Sequence, residues 1–117
     1  MDAAPSDPLP LARGRALTAL LYQGQLDQLW AAFLPSARAR WSDFSAFEAY
    51  RAAGLETYGA ETGLLNEAVI EDGGLTYTRT VTFEGDPGNG WTLVFGLDEQ
   101  GNVRDFEIVA AGLRPAP

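Results

Sequence analysis

Apolar residues recur along this chain with two periods, a helical one as far as residue 59 and an alternating one from residue 63 onward. From Leu9 or Leu11 the first helix gathers Ala16, Leu17, Leu20 and Leu21 on one face, and Gly24 stops it. The pattern restarts in "YQGQLDQLWAAFLP", where Leu26, Leu29, Trp30, Phe33 and Leu34 form a second stripe that Pro35 closes. "SARARW" predicts a short helical turn. A third helix then runs to Gly59, with Ser45 and Glu48 at capping-box spacing and Phe47, Tyr50, Gly54, Leu55 and Tyr58 facing inward together.

Turn signals then divide the rest into strands over 63–71, 75–84, 91–97 and 103–110, separated by "DGG" at 72–74, "GDPGNG" at 85–90 and "DEQGN" at 98–102. Short connections between consecutive strands predict an antiparallel meander. In "LTYTRTVTFE", Leu75, Tyr77, Val81 and Phe83 alternate with Thr76, Thr78, Thr80 and Thr82, giving a core face and a threonine face. Trp91, Leu93, Phe95 and Leu97 continue the core in the third strand, Phe106 and Ile108 in the fourth. The first strand offers two faces: Leu64, Asn66, Ala68 and Ile70, or Leu65, Glu67, Val69 and Glu71. The first set is expected inside, because the second buries two carboxylates.

The fold class is therefore α+β, with N-terminal helices packed on one face of a curved four-stranded antiparallel meander. At 117 residues one domain is expected, over residues 9–112, after a Pro-rich leader at 1–8 and before a tail at 113–117. A formal charge of −8 repels phosphate backbones and anionic membrane surfaces, so nucleic acid is not the expected partner. The absence of His and Cys removes the common neutral-pH proton shuttle, thiol chemistry and nearly every zinc or iron site, and no cofactor is expected. All eight basic residues are Arg, which fits GC-rich codon usage and carries no mechanism. No apolar run is long enough to span a bilayer, so no membrane insertion is expected. The N-terminus lacks the basic start and apolar core of a signal peptide, which leaves open a cytoplasmic protein or the mature end of an exported one.

"ALTALLYQGQLDQLWAAFLPSARARW" and the closing "WTLVFGLDEQGNVRDFEIV" resemble the nuclear transport factor 2-like superfamily, in particular the small domains of unknown function that precede hydrolase or peptidase domains in exported bacterial proteins. The resemblance covers roughly residues 10–110. It implies a cone-shaped sheet closed by an N-terminal helical hairpin, and it brings no catalytic motif.

Arg79 lies in phase with the apolar face of its strand, so it needs either a ligand anion or an internal carboxylate such as Glu56 or Glu61, or it reaches the sheet edge. Tyr22, Tyr50, Tyr58 and Tyr77, with Trp30 and Trp41, line an aromatic pocket or simply fill the core. The acidic pairs Glu71–Asp72 and Asp98–Glu99 fall at turns without calcium-loop order, and "GDPGNG" precedes no helix that would hold a phosphate. Asp105 and Glu107 belong on the outer face beside the threonines. The expected pocket comprises Arg79, Tyr77, Tyr50, Tyr58, Trp30 and Asn66, with no catalytic residue and no metal ligand. The expected function is that of a non-catalytic accessory or interaction domain, binding a protein partner or a small acidic or aromatic ligand through its cavity mouth or sheet face. The alternative is a pocket protein or isomerase-type enzyme using Arg79 and tyrosines, and a homodimer through the threonine face is compatible with both.

Overall fold

A computed structural model describes residues 9–71 and 74–110. The expected leader, the expected tail and Asp72 of the first turn lie outside the described residues. Four helices, α1 (Leu9–Tyr22), α2 (Leu26–Ala32), α3 (Pro35–Arg38) and α4 (Phe44–Tyr58), precede four strands, β1 (Glu61–Glu71), β2 (Leu75–Phe83), β3 (Asp86–Leu97) and β4 (Val103–Ala110). The strands pair antiparallel in the order β1-β2-β3-β4, the expected meander.

The core forms between one sheet face and the helices. Tyr77, Val81, Leu93, Phe95, Val103 and Phe106 from the strands meet Leu17 and Leu21 of α1, Leu29 of α2 and Phe47 of α4, all essentially inaccessible to water. Each such side chain contributes about 1.5–3 kcal/mol through burial. Aromatic rings close the α2–α4–β4 corner: Phe47 lies 4.9 Å from Trp41, 5.3 Å from Phe33 and 5.4 Å from Trp30, between ring centroids. Gly14 of α1 sits directly against the Tyr77 ring, where a side chain would collide with the ring carbons.

Several local expectations are corrected. Pro35 opens α3 instead of closing α2; the chain leaves α2 at Phe33 in extended form and pairs with β4, Leu34 N donating to the Val103 carbonyl at 2.7 Å. The cap of α4 is Asp43, whose carboxylate accepts from Ala46 N at 2.9 Å, so Ser45 lies inside the helix and the Ser45–Glu48 box does not form. Strand β3 begins at Asp86, because Glu84 and Gly85 alone make the turn and "PGNG" continues as strand.

Leu64 pairs with the core residue Val81 as expected, but beyond it the face of β1 is reversed. Bulges between Glu61 and Gly63 and between Leu64 and Asn66 set a register in which Glu67 pairs with Arg79 and Val69 with Tyr77 on the helix side. Asn66, Ala68 and Ile70 instead join Thr80, Thr78 and Thr76. The expectation priced Glu67 as a lone carboxylate, whereas two guanidiniums await it. Leu64 and Leu65 remain exposed. The threonine face is less open than expected: Thr76, Thr78 and Thr92 are buried, and Arg104 lies across Gly96 to reach Thr76 Oγ1 at 3.2 Å. Asp105 and Glu107 do pair into that face, opposite Gly96 and Val94.

Candidate functional site

Only the two ends of α4 are seated firmly. Phe47 anchors its start, and Tyr58 anchors its end against Phe83 and Trp91 at 6.2 and 5.0 Å. Between them Tyr50 and Leu55, both expected inside, stay 40% and 49% exposed, and clefts open on either side of the helix. The first, of about 520 Å³, lies between α1, α4 and the start of β1, with Arg15, Tyr22, Arg51, Leu55, Glu61 and Arg79 in its walls. The second, of about 360 Å³, lies between α4 and the sheet, walled by Tyr50, Gly54, Tyr58, Phe83, Trp91 and Ile108. Both volumes fall in the range of small-ligand sites. Arg51 lines both.

Arg79 forms the floor of the first cleft. Its Nε and Nη2 donate to the two oxygens of Glu61 at 2.9 and 2.8 Å, a bidentate pair, and Nη1 reaches Glu67 Oε2 at 3.5 Å and the Tyr77 hydroxyl at 3.4 Å. Glu56 stays exposed on α4, so of the two expected internal partners Glu61 is the one used. Glu67 also accepts from Arg15 Nε and Nη2 at 3.0 and 2.8 Å and from the Tyr77 hydroxyl at 2.6 Å. The Tyr22 hydroxyl donates to Glu61 at 2.7 Å. The side chains of Arg79, Glu61 and Glu67 are only 17%, 17% and 12% exposed.

These contacts fix the protonation states. The hydrogen bonds from Arg15, outweighing burial, together with Tyr77 and the charges of Arg15 and Arg79, hold the Glu67 carboxyl at about 2, against an ordinary value of 4.5. Burial pushes Glu61 upward, but Arg79 and Tyr22 overcome it and leave the group lowered. Burial first, then the neighbouring carboxylate, raises Tyr22 and Tyr77. The bidentate bond to Glu61, working against burial, raises Arg79. A general base needs a carboxylate tuned toward neutrality, and these two are tuned away from it. The unfolded chain therefore binds more protons than the folded one in acid. The stabilisation from Glu67 is complete above pH 4.5 and is lost as pH falls toward about 2. Urea midpoints measured across that interval are expected to fall for the wild type and to fall less steeply for Glu67→Gln.

Arg51 differs from these residues. Half-buried, it makes no hydrogen bond or ion pair among the described residues; its guanidinium carbon lies 5.8 Å from the Tyr22 ring centroid, and burial lowers its pKa. The expected pocket residues are dispersed. Arg79 floors the first cleft, Tyr50 and Tyr58 wall the second, Tyr77 is buried under α1, and Trp30 belongs to the aromatic corner. Asn66 is exposed on the threonine face. Sequence reasoning did not single out Arg15, Arg51 or Glu67. The signal for Arg51 was its place four residues after Phe47 and four before Leu55, on the inward stripe of α4.

Among the described residues no group of His, Cys, Asp or Glu is placed to hold a metal ion, and no helix is long and apolar enough to cross a membrane. Compared with family models, curated proteins and solved structures, the chain matches none.

Proposed function

We propose that this chain is a non-catalytic accessory domain that binds a ligand or a protein partner through the mouth of the clefts beside α4, receiving an anionic group on Arg51. The observation that carries this reading is the contrast between two kinds of cation. Arg79 is held by Glu61 and Glu67 inside the network, while Arg51 faces the same space with the Tyr22 ring as its neighbour and pairs with no carboxylate among the described residues, Glu61 in that cleft being bonded to Arg79 and Tyr22. A half-buried guanidinium keeps its charge, so it favours an incoming carboxylate or comparable anion. The order of helices before a four-stranded meander supports placing the domain in the nuclear transport factor 2-like superfamily, as one of the small domains beside hydrolase or peptidase domains of exported bacterial proteins.

An isomerase-type enzyme working through Arg79 and tyrosines would need a carboxylate raised toward neutrality beside a tyrosine hydroxyl. Glu61 and Glu67 have the tyrosines beside them, but with lowered values. Binding is therefore the better-supported reading. Benzoate titrated at constant ionic strength is expected to raise the wild-type Tm saturably and to leave Arg51→Met unmoved. An equal rise in both proteins would contradict the proposal.

A further inference from the structure

The second cleft differs from the first in having a larger apolar and aromatic wall. Tyr50, Gly54 and Tyr58 of α4 line it together with Phe83, Trp91 and Ile108 of the sheet, and no acidic side chain among the described residues does. Its aromatic wall is held in place, since the Trp91 indole N–H donates to Asp86 Oδ2 at 3.0 Å and the Tyr58 ring lies 5.0 Å from the Trp91 ring. At Gly54 the cleft has unfilled room, because a side-chain carbon built there meets nothing within 4 Å. Arg51 stands in the same wall, and the Tyr50 hydroxyl beside it makes no hydrogen bond among the described residues.

Resting on the anion-binding reading of Arg51, we infer that the ligand is an amphiphilic carboxylate, an alkyl or aryl acid. Its head meets Arg51, and its apolar body lies in the cleft between α4 and the sheet. Charge and apolarity select this class together. A small inorganic anion leaves the aromatic wall wet, and an uncharged hydrocarbon leaves the guanidinium without a partner. An amphiphilic cation meets like charge at the mouth. The body is assigned to the second cleft because the floor of the first is occupied by the polar network of Glu61 and Arg79.

The test uses the full chain and octanoate below its micelle concentration, with binding measured calorimetrically. Octanoate is expected to bind, and octylammonium is not. Hexanoate is expected to bind roughly tenfold more weakly than octanoate, the effect of two methylene groups. Arg51→Met should weaken octanoate by about tenfold or more, through loss of a charged hydrogen bond. Gly54→Leu, whose new side chain enters the cleft while improving helix propensity, should abolish binding without lowering Tm. The chain-length series in the wild type keeps the test independent of how any variant folds. If octanoate binding depends on Arg51 but is indifferent to chain length and to Gly54→Leu, the anion anchor stands and the assignment of the apolar body is overturned. If octanoate and octylammonium bind alike, or Arg51→Met binds octanoate like the wild type, both the ligand class and the Arg51 anchor fall.

Discussion

Arg79→Met is expected to cost about 2–4 kcal/mol of folding stability, although the substitution keeps most of the aliphatic stem. The cost comes from what stays behind. Glu61 loses its bidentate partner and Glu67 one of its two cations, in a place where their side chains are 17% and 12% exposed. Removing one member of a desolvated ion pair leaves a charge without compensation, which costs about 3–5 kcal/mol when burial is complete. Residual solvent access and the remaining Arg15–Glu67 pair at 2.8 Å reduce that figure. Combining Arg79→Met with Glu61→Gln should recover part of the loss, giving a coupling of about 1–3 kcal/mol in a double-mutant cycle. Urea denaturation with an unchanged slope is the measurement. A loss below about 1 kcal/mol would mean that Arg79 is not held as described.

Gly14→Ala is expected to destabilise the protein by about 2–3 kcal/mol, the reverse of the usual effect of this substitution inside a helix. The new methyl falls on the carbons of the Tyr77 ring. That ring has little freedom to withdraw, since its hydroxyl is bound to Glu67 at 2.6 Å and its other neighbours include Phe95 at 6.3 Å between centroids. The methyl must therefore displace α1 from the sheet or break the Tyr77–Glu67 bond. Gly54→Ala supplies the control with the opposite sign: it also lies inside a helix, meets nothing within 4 Å, and should gain about 0.5–1 kcal/mol. Thermal unfolding of the two variants side by side separates close approach from helix propensity. Equal effects would show that α1 does not pack on Tyr77 in this way.

The helix–sheet core was legible where local periodicity and burial agree. Leu17 and Leu21, Leu29 and Phe33, and the alternations Tyr77–Val81 and Leu93–Phe95 all face the core as their spacing predicts. The pairing of consecutive strands also followed from the turns. The misreadings share a cause: each depended on a neighbour remote in sequence. The inward turn of Glu67 is settled by Arg15, 52 positions away, together with a bulge that a strict alternation cannot register. The identity of Gly14 is settled by Tyr77, far along the chain on β2. The exposure of Leu55 follows from how α4 is seated at its ends, which an i, i+4 stripe does not encode. Arg79 was legible as a residue needing compensation. Arg51 was missed because a charged residue on a helix normally reads as solvated, and that it pairs with no carboxylate among the described residues emerges only in three dimensions.

Among the described residues, the guanidiniums lining these clefts divide into Arg15 and Arg79, held by the protein's own carboxylates, and Arg51, proposed to receive a ligand. Arginine Nε–Hε correlations, recorded by NMR during a benzoate titration and assigned by single Arg→Lys variants, test it residue by residue. The account predicts that the Arg51 signal moves and saturates, while those of Arg79 and Arg15 hold their positions. A saturating shift at Arg79, or none at Arg51, would contradict it.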